Sequence, residues 1–394
     1  MECPEDGMNA TTIIVHHSLY RQVSIHLDER VEMFSLKGRA DRLRKVLELT
    51  RADACVVKSE ANCRYLTGMT IGDGMVIVTR AGNRYCLVDS GYEEIATRTL
   101  SPQGFTVRTI GRDSDYPMFI NEIFQSDKIS VALLESEDVS HEDYLALENA
   151  LYAKVHPLKT QLDKVRMVKD LEEIENIKTA QRITEKSFEE VLGFIKPGMS
   201  EKQVQAKLVQ LMLENGSDLG KFHICCVSGT NSTLIYGKAT DRIIESGDNL
   251  MLEFGAIYNG YYSDMARTIV VGKASDEFKR AYRVVQDACI IGRRYIRKGI
   301  SGQDADSEVR NYIEDNGYRN YFRHSLGHGI GVQLREGPVL AQHSTDILTT
   351  GHVVTLEPGI YIKDKFGIRI EDLLYISNVG TENLTRTTKE LIEL

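Results

Sequence analysis

Two stretches of this chain repeat one another. Gly247-Asp-Asn-Leu-Met-Leu-Glu253-Phe-Gly255 and Gly351-His-Val-Val-Thr-Leu-Glu357-Pro-Gly359 share a glycine six residues before a glutamate, a Leu-Glu pair, and a glycine two residues after it. Each is followed by a returning segment that brings a second acid, Asp264 in the first case and Glu371 in the second. A motif that recurs with its neighbourhood implies an internal duplication, so the second part of the chain is expected to fold as two similar halves related by a pseudo-two-fold.

The spacing also predicts where the acids point. Asn249–Gly255 alternates as a strand, Asn259-Gly260 is a strong two-residue hairpin signal, and Tyr261–Val271 returns. With Tyr258 opposite Tyr261, Glu253 faces Ala266, and Asp264 is its diagonal neighbour on the same face, about 7–8 Å away by Cα. The second hairpin turns near Lys363–Gly367, and an even register sets Glu357 and Glu371 on one face. Inward-facing carboxylates at such separations can grip cations between them.

A third stretch, Tyr321–Pro338, holds His324 and His328, two of only ten histidines, with Gly327, Gly329 and Gly331 around the second. Glycine at alternate positions clears the backbone beside His328 for close approach by a bulky ligand or metal cluster. A glycine-rich bend carrying a hydrogen-bonded histidine would use the same residues, and the motif alone leaves both open.

At 394 residues the chain exceeds what one core usually serves, and two domains are expected. Residues 1–32 are polar and weakly patterned, an expected loose arm; 33–160 alternate helix and strand as an α/β layer; 161–394 carry the repeats. In the first domain strands are expected at Ala54–Val57, Met75–Thr79, Tyr85–Val88, Thr106–Thr109, Ile129–Leu134 and Lys154–His156, and helices at Lys37–Leu49, Tyr92–Arg98, Met118–Phe124 and His141–Leu151. Leu171–Leu192 reads as a charged helix with Ile174, Ile177, Ala180 and Ile183 on one side, and Ser200 with Gln203 opens another helix through a capping box. A formal charge of −9 argues against nucleic acid or an anionic membrane as partner. Seven cysteines without paired spacing, no leader pattern and no spanning apolar run point to a cytoplasmic protein.

Taken together, Glu253, Asp264, His328, Glu357 and Glu371 resemble the five-ligand dimetal site of the pita-bread family, which includes methionine aminopeptidase, aminopeptidase P, prolidase and the non-peptidase creatinase. The supporting motifs are Ser228-Gly-Thr-Asn231, Gly260-Tyr-Tyr-Ser-Asp-Met-Ala-Arg-Thr268, His324-Ser-Leu-Gly-His-Gly-Ile-Gly331, Leu356-Glu-Pro-Gly-Ile-Tyr361 and Gly367-Ile-Arg-Ile-Glu-Asp372. The upstream α/β domain is similar to that of the aminopeptidase P, prolidase and creatinase branch. The resemblance implies a creatinase-type N-terminal domain, a pita-bread catalytic domain with a curved antiparallel sheet, and a homodimer. It implies two divalent ions, manganese, cobalt or zinc, with Asp264 and Glu371 bridging, Glu253 on one ion, and His328 with Glu357 on the other. In the family's chemistry a metal-bridging hydroxide attacks the peptide carbonyl, the ions stabilise the oxyanion, and Glu357 stands where the acid/base moves the proton. His324 is expected beside His328 as a second catalytic side chain.

Three positions depart from the family pattern. Glu253 stands where aspartate is usual, lengthening the reach by one methylene. Tyr236 and Arg335 stand where the peptidases carry histidines that touch the scissile carbonyl or the leaving nitrogen. Arg335 keeps its charge and suits a carboxylate held in two-pronged fashion, Tyr236 offers one hydrogen bond, and Arg369 is a candidate for a substrate carboxylate or an acidic neighbour. The leading expectation is a dimetal hydrolase of the Xaa-Pro dipeptidase/aminopeptidase P type acting on small peptides. The alternatives are a creatinase-like, metal-independent C–N hydrolase of a small non-peptide substrate and a catalytically silent binding module.

Overall fold

The computed structural model describes residues 36–111, 116–137 and 139–394. The expected arm over residues 1–32 lies outside them.

The first domain is built on short apolar runs that are buried on both sides. In β1 (Ala54–Val57) and β2 (Met75–Thr79) every residue is buried. Alternation sends Cys55, Val57, Val76 and Val78 into one apolar layer and Ala54, Val56, Met75 and Ile77 into the other, as period-two side chains in a sheet covered on both faces must. The remaining strands are β3 (Arg84–Asp89), β4 (Phe105–Ile110), β5 (Val131–Leu134) and β6 (Lys154–Pro157), in the order β4-β3-β2-β1-β5-β6. The chain contains α1 (Leu36–Thr50), α2 (Glu60–Thr67), α3 (Glu93–Leu100), α4 (Tyr116–Ser126) and α5 (His141–Ala150) here. The α2 helix was not expected from the periodicity. It has Ser59 as its N-cap, accepting from the Asn62 backbone N–H, and it ends at Gly68 with φ 74, the left-handed conformation glycine adopts without cost.

The stretch after residue 158 forms α6 (Gln161–Met167), and α7 (Leu171–Leu192) and α8 (Glu201–Glu214) follow. Both of the latter start with full capping boxes, Asp170 with Glu173 and Ser200 with Gln203. The two domains are joined by buried charge. Arg39 of α1 donates through Nε to Asp170 at 2.9 Å, and Arg166 of α6 donates through Nη1 to Asn62 of α2 at 2.6 Å; within the second domain Arg166 and Lys169 pair with Glu336 at 3.1 and 2.6 Å. The apolar layer containing Leu43 and Val78 continues across the junction to Ile174, Ile177, Val353 and Leu373.

Beyond residue 220 the duplication is visible in the strands. In the first half β7 (Ile224–Ser228), β8 (Asn249–Phe254) and β11 (Met265–Val270) form an antiparallel sheet in the order β11-β8-β7, and β9 (Ile257–Tyr258) with β10 (Tyr261–Tyr262) extends the hairpin. The second half sets β12 (Gly327–Gly329), β13 (Glu336–Leu340), β14 (Val353–Leu356), β17 (Asp372–Ile376) and β18 (Thr381–Asn383) in the order β13-β12-β14-β17-β18. There β15 (Gly359–Ile362) and β16 (Phe366–Arg369) form the extension.

Corresponding residues face corresponding ways. Leu250, Leu252 and Phe254 pack with Val204, Leu208 and Phe188 of α7 and α8. Val354 and Leu356 pack with Val285, Ala288 and Val309 of α9 (Asp276–Tyr295) and α10 (Gly302–Ile313). Each sheet thus turns one face to its helix pair, and alternation turns Met251 and Glu253, or Thr355 and Glu357, to the other. The seam between the halves is polar. The Glu371 N–H donates to Ala266 O at 3.0 Å, and the buried Arg267 guanidinium donates to the Glu371 and Ala266 carbonyls and to Asp372. The six cysteines among the described residues are buried and unpaired, and among those residues no helix is long and apolar enough to cross a membrane.

Candidate metal centre

Register places the acids. Tyr258 pairs with Tyr261 and Glu253 with Ala266, so Asp264, two residues before Ala266, returns to the face of Glu253. In the second hairpin Leu356 pairs with Asp372 and Gly359 with Arg369. The same register carried through the break sets Glu357 opposite Glu371, and the Ile370 N–H to Pro358 O bond at 3.3 Å belongs to it. The acids are therefore diagonal in one half and directly opposed in the other.

His328 enters from β12. Its backbone N–H donates to Thr355 Oγ1 at 3.0 Å, and its Nδ1 lies 3.0 Å from Gly329 O. A carbonyl only accepts, so Nδ1 carries the hydrogen and Nε2 keeps a lone pair. The glycines around it serve a different purpose from the expected one. A Cβ on Gly327 would sit 2.1 Å from Thr355 O and one on Gly329 2.0 Å from Gly337 O. Neighbouring backbone fills that space, not a ligand.

Five donor side chains, all buried, come together in two groups. Asp264, His328 and Glu371 offer one ligand atom each within 4.8 Å of one another, and so do Glu253, Glu357 and Glu371. Glu371 is common to both. Asp264 Oδ2, His328 Nε2 and both carboxylate oxygens of Glu371 are buried without a hydrogen-bond partner. Burial first, then neighbouring acid charge, pushes the Glu357 carboxyl up to about 8 and Glu371 well above the usual range; burial pushes Asp264 up to about 6. Burial likewise brings His328 down to about 4, so the imidazole is neutral and its Nε2 free to ligate. Carboxylates left this way are costly unless cations compensate them. Oxygen donors with one imidazole suit divalent ions of the manganese, cobalt and zinc kind, so the residues present fit the expected group.

Around these donors the structure assigns other partners. Arg369 is fully buried; it pairs with Glu253 Oε2, donates from Nε to Tyr361 Oη at 2.6 Å and from Nη2 to Ile235 O at 3.0 Å. The acidic neighbour, not a substrate carboxylate, takes its guanidinium. His324 Nε2 lies 2.9 Å from Tyr361 Oη and Nδ1 2.8 Å from Ser325 O. By the same tautomer argument Nδ1 donates and Nε2 accepts, so both nitrogens are engaged. His324 thus fixes Tyr361, and through it Arg369, and its Nδ1 stands 4.0 Å from Glu357 Oε2.

Tyr236 is 62 % exposed, and the Arg335 guanidinium carbon lies 5.7 Å from its ring centroid. Arg335 is itself exposed, yet its charge acts on Asp264, Glu357 and Glu371. The loop that carries Tyr236 is anchored by Glu201 at the start of α8. Its carboxylate accepts from the Ser228 N–H and Oγ and from the Thr240 N–H and Oγ1, at 2.6–2.9 Å.

One residue in this region was not expected. His223, directly before β7, places Nε2 3.6 Å from Glu253 Oε1. The signal was present: extended one residue into a strand over 224–228, alternation sets His223 on the face of Cys225 and Val227, away from the helices.

Residues 175–378 match the family model described as metallopeptidase family M24, and residues 39–168 match the creatinase/prolidase N-terminal domain. The uncharacterised peptidase YqhT of Bacillus subtilis is 36% identical over 356 residues, covering 90% of this chain and 99% of that protein. The Xaa-Pro dipeptidase of Pyrococcus furiosus is 30% identical over 365 residues, covering 91% of this chain and 100% of that one. Among solved structures, an Xaa-Pro dipeptidase from Bacillus anthracis superposes with a TM-score of 0.86 at 34% identity, over 91% of this chain and 100% of the other.

Proposed function

The chain belongs to metallopeptidase family M24, and from that premise we propose that it hydrolyses the Xaa-Pro bond of short peptides at a centre of two divalent cations. Glu253, Asp264, His328, Glu357 and Glu371 would hold the ions. The observation that carries this is the pair of buried donor groups sharing Glu371, with orphaned atoms on three of their members. It also weighs against a metal-independent hydrolase and a silent binding module, because neither gives these acids a partner.

Divalent ions bound there would polarise the scissile carbonyl and make water acidic enough to react near neutral pH. The protein's own side chains do the rest. Glu357 accepts from Thr355 Oγ1 at 3.3 Å through Oε1, which leaves Oε2 to take a proton from the attacking water and pass it to the leaving nitrogen. Arg369 and Tyr361 hold Glu253 in place. Arg335 at the mouth clamps the substrate's carboxylate, and Tyr236 donates a hydrogen bond beside it. Relatives named for Xaa-Pro dipeptidase activity support the substrate class.

The same arginine supports one second reading, hydrolysis of a small carboxylated amide other than a dipeptide. The test is cleavage of an Xaa-Pro dipeptide panel, their C-terminal amides and small non-peptide amides, using chelator-stripped protein before and after readdition of manganese, cobalt or zinc. Metal-restored cleavage of dipeptides, slower for the amidated forms, is the expected result. Bound metal with no peptide cleavage would refute the peptidase reading.

A further inference from the structure

His223 lies outside both groups of donors that come within 4.8 Å of one another, yet its Nε2 faces the free oxygen of one of them, Glu253. Glu253 Oε2 is taken by Arg369, which leaves Oε1 as the oxygen of that carboxylate free for a cation. The His223 Nε2 stands 3.6 Å from that oxygen, too far for a good hydrogen bond. It is also a buried atom without a hydrogen-bond partner. Two donors on one ion, each about 2.0–2.2 Å from it, lie about 3.0–3.7 Å apart for angles near 90–120°. The observed separation falls in that range.

The other side of the ring opens outward. The side chain is 39 % exposed and lines a cavity of about 710 Å³ together with Phe222, Tyr236 and Lys238. A small molecule entering this cavity can therefore reach the position the ring occupies.

We propose that His223 is a sixth donor of the centre, binding through Nε2 the ion that Glu253 holds. The inference rests on the metal reading of this site. It gives each half of the duplication one imidazole, His223 beside Glu253 and His328 near Glu357. An added imidazole moves the preference of that position away from manganese toward zinc and cobalt.

The test is a cobalt(II) titration of the chelator-stripped full chain, followed by bound-metal analysis and the visible ligand-field spectrum, for wild type, His223→Gln and His223→Gly. Wild type should bind two ions. The variants should keep one, bind the other at least about tenfold more weakly, and show shifted bands. Millimolar imidazole should return the wild-type spectrum to His223→Gly, a rescue that a merely structural role for the ring would not give. If wild type binds two ions and both variants match its isotherm and spectrum, His223 is not a ligand, while the metal reading stands. If wild type binds no cobalt, the metal reading and this inference fall together.

Discussion

Metal-free protein should become more stable when Glu357 is replaced by glutamine. Burial raises this carboxyl from 4.5 to about 8, so in the absence of ions the fold holds a proton that the unfolded chain releases. A group whose folded pKa is raised contributes stability that is full below its unfolded pKa and is lost as pH climbs through the folded one. At 1.36 kcal/mol per pH unit, the wild-type penalty relative to a neutral side chain is under about 1 kcal/mol at pH 5 and on the order of 4 kcal/mol at pH 8. Glutamine keeps the oxygen that accepts from Thr355 and removes the charge. Buried His324, His328 and His352, whose pKa values are lowered, act with the opposite sign below pH 6.5, so the informative window is 6.5 to 8. Urea denaturation of chelator-stripped wild type and Glu357→Gln across that window measures the difference directly. Saturating manganese should close most of the gap at pH 8, because the variant lacks a donor of the group of Glu253, Glu357 and Glu371 and keeps that of Asp264, His328 and Glu371; about a thousandfold excess over Kd for the ion that only wild type holds adds about 4 kcal/mol. A variant less stable than wild type at pH 8 without metal, or a difference that does not grow with pH, would refute the argument.

Three further outcomes follow from the same geometry. Glu371→Gln should abolish binding of both ions, whereas His328→Ala should spare the group of Glu253, Glu357 and Glu371; elemental analysis after manganese loading distinguishes them. Arg369→Met should leave Glu253 buried and unpaired, and metal-free protein should lose about 3–5 kcal/mol in urea denaturation at pH 7. Glu336→Gln should cost a comparable amount, since Arg166 and Lys169 both pair with that buried carboxylate; a loss below about 1 kcal/mol would show that the other partners of Arg166, Asn62 and Gln333, suffice without it.

The strands and the paired acids were legible because they rest on local periodicity. Asn259-Gly260 fixed the first hairpin, and with it the pairing of Glu253 with Ala266. The repeat of Gly247–Gly255 in Gly351–Gly359 foretold two halves whose sheets each back onto a helix pair. What stays hidden in the sequence depends on contacts between segments distant in it. The glycines beside His328 answer to carbonyls on Thr355 and Gly337, which no local pattern reveals. Nothing in the spacing of His324 and His328 shows that His324 Nε2 meets Tyr361, 37 residues on. Arg369 reaches Glu253 across 116 positions. His223 is aimed by β7, whose run Ile224–Ser228 is too uniformly apolar to show which side faces the acids.

Anomalous scattering from a manganese-soaked crystal would locate the two ions proposed for the buried side chains that share Glu371. Two peaks are expected, both in contact with Glu371, one also reaching Asp264 and His328 and the other Glu253 and Glu357. A single peak away from Glu371, or none in fully exchanged crystals, would contradict the proposal.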